Sequence, residues 1–341
     1  MTRPRRLGAA DIAREAWVSV ATVSRALNRP EAVQPGTLDR VRSVAERLGY
    51  VPNRRAQALV SGRSRTVGVV VPTLDSPIFA TMLQALQRTL DDGGHQMLVA
   101  SHRYDAAREG VAVAQLAAQG VDGLIVIGAD RPATTWAAIA GTGLPLVQLW
   151  CGTRQADCIG VDNAAAGGLV GRHLAALGHR RIGVLCGRLA DNDRQRARLA
   201  GLRDALSQAG VGLPESHVAE APLTLDGGRM AARRLMDLRP RPSAVVGLID
   251  LLAIGALIEL AAMGIVVPAA VSVAGIDNMT FARHIAPALT TVDIPAEAIG
   301  TEAGRLMLVR LSGVDSGPPE HRDLPIRLIL RASTARAPEP A

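Results

Sequence analysis

The stretch that decides the fold runs from Ala9 to Leu59, AADIAREAWVSVATVSRALNRPEAVQPGTLDRVRSVAERLGYVPNRRAQAL. At its head, Ser19–Leu27 (SVATVSRAL) reads as a short helix: the Ser19 hydroxyl can cap the first free N–H groups while Val18 and Val23 staple the entry. Before it, Ala9–Ala16 reads as another helix, with Gly8 as cap and Asp11 in the first turn, where negative charge suits the helix dipole. Each carries one small apolar face, Ile12, Ala13 and Ala16 on the first and Val23, Ala26 and Leu27 on the second. Two such helices three residues apart describe a helix-turn-helix. The other face of the second helix, with Ser19 and Val20 at its head and Ala21, Thr22, Ser24, Arg25 and Asn28 along it, is free to lie in a major groove. A third amphipathic run, Thr37–Leu48, repeats Leu38, Val41, Val44, Ala45 and Leu48 at helical spacing, with Pro35 near its start and Gly49 where a left-handed cap falls. The segment Tyr50–Leu59 that follows has a Pro-Asn start and one large apolar side chain, Leu59, and is too short and polar to fold alone.

Charge separates this region from the rest. Of 38 basic residues, all arginine, thirteen fall in residues 1–65 against five acidic ones, and the remaining 25 face 26 acidic residues. The net charge of +7 is therefore a property of the N-terminal region, and reads as a local phosphate-binding surface. Seven aromatic residues in the whole chain leave little for base stacking, so duplex DNA is a better partner than single strands or RNA. Cys151, Cys158 and Cys186 have neither metal-ligand spacing nor an even count, and read as small buried side chains in a reducing compartment. The start MTRPRR has no apolar signal core and no later apolar run has membrane length, so a cytoplasmic protein without membrane contact is expected.

After the polar, basic residues 60–66 the rhythm changes. Val67–Val71 is a continuous strand-like run, followed by a helix to about Asp92; Gln96–Ala100, Gly123–Ile127 and Leu144–Leu149 then read as strands, with helices at Asp105–Gln119 and Thr134–Thr142 between them and an irregular stretch to Val161. A second set begins at Asp162: strands at Ile182–Cys186, near Val218, at Ala244–Leu248 and at Val271–Ile276, with helices Ala164–Leu177, Asp193–Ala209, Gly227–Leu238 and Leu251–Met263. Helix Ala296–Leu311 and a terminal strand near Pro325–Leu330 complete the sheets, and Ala335–Ala341 reads as a disordered tail. Alternation of this kind means parallel sheets covered on both faces, here two βα lobes in tandem.

Catalytic signatures are lacking. There is no P-loop, no HExxH and no G-x-S-x-G elbow, and the run Gly167-Gly168-x-x-Gly171 lies inside a predicted helix rather than after a strand. Neither a metal nor a cofactor is expected.

The pattern ADIA…VSVATVSRALN…LGYVPNRRAQAL closely resembles the headpiece and hinge of the lactose repressor/galactose repressor family of bacterial transcription regulators. The resemblance implies that Val20, Ala21 and Arg25 face base edges, that Asn53 and Ala56 sit in a hinge, and that Leu59 wedges into the minor groove when the hinge becomes helical on operator DNA. Trp17 stands where the family has a turn glycine, Gln34 where it has serine and Leu38 where it has arginine. Later motifs, VDN at Val161–Asn163, LGHRRI at Leu177–Ile182, RLAGLRDAL at Arg198–Leu206, AGIDN at Ala274–Asn278 and PALTTV at Pro287–Val292, resemble the family's effector-binding core, which is similar to periplasmic sugar-binding proteins. They imply crossovers between lobes near Gly160–Asn163, Thr290–Ile294 and His321–Pro325, and a small ligand between the lobes.

By the same resemblance Arg198 contacts the effector with its five-donor fork, Asp277 accepts from sugar hydroxyls, Phe79 and Trp150 line the cleft, and Asp250 is a polar contact or a helix cap. Arg194 and Arg196 read instead as a solvated, charge-paired helix face, and Ile249 and Leu223 replace side chains that in relatives are polar or aromatic. The run around Arg188–Gly201 most resembles the gluconate-responsive repressors.

The expectation is thus an all-α helix-turn-helix headpiece at 1–50, a hinge and linker at 51–66, a two-lobed periplasmic-binding-protein-like α/β body of doubly wound parallel sheets at 67–334 that binds effector and dimerises, and a tail at 335–341. The implied function is a homodimeric repressor on double-stranded operator DNA, controlled by a sugar or sugar acid; corepression would use the same parts with the sign reversed. A sugar-binding module or an α/β enzyme without a DNA role is the competing class, and it has no use for a basic headpiece of this spacing.

Overall fold

The computed structural model describes residues 7–28, 30–50, 62–151, 156–190, 192–313 and 317–339. The chain divides into two compact units, Met1–Arg65 and Thr66–Ala341.

The first unit holds α1 (Ala9–Glu15), α2 (Val20–Asn28) and α3 (Pro35–Arg47). Its core is small and made of the side chains the periodicity selects: Ile12, Ala13, Ala16, Val23, Ala26, Val41, Val44 and Ala45 are buried together, with Val18, Leu27, Leu38 and Tyr50 packed against them. Ser19 caps α2 by accepting from the Thr22 N–H at 3.0 Å. Gly49 takes φ +61° at the end of α3, the left-handed cap the sequence predicts. Trp17 adopts φ +55° in the turn, held by the Trp17 N–H on the Arg14 carbonyl and the Val18 N–H on the Ala13 carbonyl. A bulky side chain in that region costs about 1–2 kcal/mol relative to glycine.

The second unit is built on two six-stranded sheets. In the first, β1 (Thr66–Val71), β2 (Gln96–Ser101), β3 (Gly123–Ile127), β4 (Leu146–Trp150), β5 (Asp157–Gly160) and β11 (His321–Asp323) lie in the order β11-β5-β4-β3-β1-β2, all parallel. The second runs β12-β10-β9-β8-β6-β7, from β6 (Ile182–Cys186), β7 (Val218–Glu220), β8 (Ala244–Gly247), β9 (Ser272–Asp277), β10 (Thr290–Asp293) and β12 (Arg327–Ile329). Only β12 is antiparallel, on β10 at the sheet edge. The β-branched run Val67–Val71 and the segment Val271–Ile276 are buried on both faces because helices cover both sides.

Helices α4 (Pro77–Asp92) and α11 (Ala296–Leu311) pack together on the first lobe, as do α5 (Ala106–Ala118) and α6 (Ala133–Gly141). In the second lobe α7 (Asn163–Ala176) packs on α8 (Asp193–Gln208), and α9 (Leu225–Met236) on α10 (Asp250–Ala262). The chain crosses between lobes three times: between β5 and α7, between β10 and α11, and between β11 and β12.

Three expectations need correction. The irregular stretch before Val161 contains β5, and the third crossover contains β11; both are short strands whose partners come from elsewhere in the chain, so neither shows a local pattern. The segment read as a disordered tail is anchored as far as described: the Ala335 N–H bonds to Ser272 Oγ, its carbonyl lies 3.1 Å from His179 Nε2, and the Ala337 N–H reaches the Leu177 carbonyl. Its composition offers no large apolar side chain, but the buried His179 and Ser272 need its backbone as a partner.

Candidate functional site

Two sites follow from these units, a helix face in the first and a cleft in the second. On α2, Val23 and Ala26 turn into the core while Ser19, Val20, Ala21 and Arg25 are exposed and Thr22 and Ser24 half-buried. Arg25 Nε bonds back to the Ala21 carbonyl at 3.4 Å, which lays the side chain along the helix surface. Asn28 ends the helix. Ser19, Val20, Ala21 and Arg25 thus present the exposed part of the predicted face. Asn53, Ala56 and Leu59 lie outside the described residues.

The cleft of about 820 Å³ lies between the lobes, where loops at the carboxyl ends of both sheets converge. The first lobe contributes Thr73–Ser76 after β1, Ser101, Arg103 and Tyr104 around the end of β2, and Trp150 at the end of β4. From the second come Arg188, Asn192, Arg194, Gln195 and Arg198 after β6, Glu220–Thr224 after β7, Ile249 and Leu251 after β8, and Asp277 at the end of β9.

Four of the five predicted effector residues meet there. Phe79 and Trp150 form an edge-to-face pair, centroids 5.1 Å apart and planes at 88°, walling the first lobe. Arg198 donates from Nε to Asn163 Oδ1 at 3.0 Å and from Nη1 to the Leu248 carbonyl at 2.7 Å and to Asp277 Oδ1 at 3.1 Å. Burial pushes the Asp277 carboxyl up from its ordinary range, while Arg198 beside it pulls it back. Asp250, the fifth, is corrected: it does not line the cleft. It is fully buried, accepts from Thr291 Oγ1 at 2.6 Å and from the Met279 N–H at 2.8 Å, and so ties the chain after β9 to β10. Burial and the neighbouring Asp277 raise its pKa.

Arg194 is the second correction. It is not solvated but buried at the cleft wall, donating to Asp193 Oδ1 at 2.9 Å. Asp193, from the second lobe, reaches across: its Oδ2 accepts from the Ala129 N–H at 2.7 Å, the Asp130 N–H at 3.2 Å and the Cys151 thiol at 3.1 Å, all on the first lobe. Burial raises its pKa, but Arg194 and these donors more than offset it and hold the carboxyl below the usual range. Arg196 is the charge-paired surface residue expected, its partner Asp130 lying at 2.7 Å across the lobe boundary. Cys158 and Cys186 are buried as predicted; Cys151 is only half-buried and serves Asp193.

Sequence reasoning missed Arg103, Tyr104, Asn192, Gln195 and Glu220 as cleft residues. The available signal was position: Arg103, Tyr104 and Glu220 closely follow predicted strands, and Asn192 and Gln195 stand at the start of the predicted helix Asp193–Ala209. The strain was not visible: among the described residues Arg103, Tyr104, Trp150 and Asp277 all line the cleft and all have positive φ. Strained non-glycine backbone gathers where a binding surface is preset. Among the described residues no group of three or more His, Cys, Asp or Glu is placed to hold a metal, and no helix is long and apolar enough to cross a membrane.

Comparison with known proteins covers both units. Residues 10–53 match bacterial regulatory proteins of the lacI family, and residues 172–334 match a periplasmic binding protein-like domain. The HTH-type transcriptional regulator CelR of Thermobifida fusca is 33% identical over 339 residues, covering 97% of this chain and 97% of CelR. A solved CelR–cellobiose complex superposes with a TM-score of 0.73 at 31% identity, over 96% of this chain and all of that one. The lac repressor dimer bound to operator and the anti-inducer ONPF superposes with a TM-score of 0.86 at 27% identity, over 97% of this chain and all of that one.

Proposed function

Because the chain belongs to the lacI family of bacterial regulatory proteins, and is thus a DNA-binding transcriptional regulator with a ligand-binding body and not an enzyme, we propose that it is a homodimeric cytoplasmic repressor controlled by a small sugar or sugar acid. Two headpieces would read two half-sites of an operator about one helical turn apart, with Val20, Ala21 and Arg25 at base edges and Ser19, Thr22, Ser24 and Asn28 completing the face. Asn53, Ala56 and Leu59 would act in the hinge at the central minor groove.

The observation that carries the effector reading is the buried Arg198–Asp277 pair beside the Phe79–Trp150 wall. Fixed donors and acceptors next to an aromatic surface suit a ligand with hydroxyl edges and apolar ring faces. That each buried guanidinium already has a carboxylate, Arg194 with Asp193 and Arg198 with Asp277, favours a neutral sugar, and the related CelR structure is a complex with cellobiose. A second reading, a gluconate-like sugar acid, is favoured by four arginines lining the cleft against three carboxylates there, Asp75, Glu220 and Asp277. Closing the lobes on either ligand would move the hinges apart and lower operator affinity; a difference of about 1–3 kcal/mol between the two states suffices.

The test is a mobility shift with DNA from upstream of the protein's own gene, repeated with cellobiose, ribose, gluconate and other sugars and acids. Retention of duplex at low salt and release by one member of the panel is the expected result. Tighter retention in its presence would make the effector a corepressor, and turnover of a sugar without duplex retention would overturn the proposal.

A further inference from the structure

We infer that Trp17 is a contact to the sugar–phosphate backbone of duplex DNA, at the rim of the groove read by α2. The inference rests on the DNA-binding reading of the headpiece and adds a residue to it.

Trp17 is 89% exposed, although it is the largest side chain of the headpiece, whereas Ile12, Val23 and Val41 are fully buried. Its indole contributes nothing to the core. Its backbone sits at φ +55°, a conformation glycine adopts without strain, so the side chain is kept against the conformational preference of the turn.

Position says what the exposed ring faces. Trp17 lies between the end of α1 and Ser19, the cap of α2. In a helix-turn-helix the first helix crosses the DNA backbone and the amino end of the second enters the groove, so the strand bordering the groove passes the turn that joins them. An indole there offers a flat apolar face to deoxyribose and an N–H donor to a phosphate oxygen. Val20, half exposed at the start of α2, offers a further apolar group on the same side of the sequence as the predicted base edges, where a thymine methyl is a suitable partner. The charge of the N-terminal sequence fits the same occupant, with thirteen arginines against five acidic residues in residues 1–65.

The test uses the full chain and a mixed-sequence duplex of about 30 base pairs at low salt, because a backbone contact needs no particular sequence. The other two tryptophans, Trp136 and Trp150, lie in the body, with Trp150 buried. Adding duplex is expected to reduce acrylamide quenching of the wild-type protein but not of Trp17→Phe measured against it for the residue-17 signal. Trp17→Gly is expected to bind about tenfold more weakly on every duplex while melting no lower than wild type. Wild-type affinity of Trp17→Gly would overturn the inference, as would unchanged quenching in a complex whose formation is seen by mobility shift. Protection that grows with protein concentration in the absence of DNA would assign the ring to a second copy of the chain and overturn it too. If the wild-type chain retains no duplex at all, the DNA-binding reading itself fails and takes this inference with it.

Discussion

Arg198 on α8 and Asp277 at the end of β9 meet at 3.1 Å with both side chains 3% exposed, so each neutralises the other's buried charge at the cleft wall. Removing one partner leaves the other buried and uncompensated. Asp277→Ala should lower the unfolding free energy of the body by about 3–5 kcal/mol, whereas Arg198→Met with Asp277→Leu should lose much less because both charges go together. A urea-denaturation double-mutant cycle measures the difference, and additive losses would mean that the pair is not coupled.

Asp193 joins the lobes through the Ala129 and Asp130 N–H groups and the Cys151 thiol. Asp193→Asn keeps the shape and removes the charge that strengthens all three bonds. It should weaken effector binding by about tenfold, a cost of about 1.4 kcal/mol, without loss of operator binding in the absence of effector. Isothermal titration with the effector found in the mobility-shift panel reads this directly; an unchanged affinity would remove Asp193 from the closing of the cleft.

His179 is buried between Ser243 Oγ at 2.9 Å and Ser272 Oγ at 3.0 Å, next to the Ala335 carbonyl. Burial lowers its pKa below the ordinary 6.5. The unfolded chain therefore binds the proton more readily than the folded one, and stability is full above about pH 6.5 and declines as pH falls below it. The melting temperature of the body should drop between pH 7 and pH 5 in the wild type and drop less in His179→Gln. Identical pH profiles would contradict the assignment.

Gly167 on α7 and Gly201 on α8 let the two helix backbones touch. A Cβ on Gly201 would run into the Ala164 carbonyl, and one on Gly167 into the Arg198 carbonyl. Gly201→Ala should cost at least about 1–3 kcal/mol, through separation of helices that carry Arg198 and Asn163. Chemical denaturation together with effector titration should show both losses; an unperturbed variant would mean that the helices can part freely.

How much of this was legible follows from the range over which each signal acts. Caps and helix faces are local, so Ser19, Gly49 and the Val23–Ala26 face were readable, as were the buried strands of the body, whose β-branched runs need no partner to be recognised. The glycines of α7 lie inside a helix as predicted, but their purpose appears only when α8 is laid on them. β5 and β11 were missed because their pairing is long-range. Asp250 and Arg194 exchanged roles for the same reason: each stands at the first turn of a helix, and only the packing decides that Asp250 turns to Thr291 and Arg194 to the cleft wall.

The central claim is that one chain carries two separable sites, a DNA-reading face on α2 and an effector cleft around Arg198. Fluorescence anisotropy of a labelled upstream fragment, titrated with wild type, Arg25→Ala and Arg198→Ala with and without effector, tests it most directly. Arg25→Ala should lose discrimination of that fragment from a scrambled duplex while still binding effector. Arg198→Ala should keep the discrimination and lose the response to effector. Folded variants that each lose both activities would contradict the account.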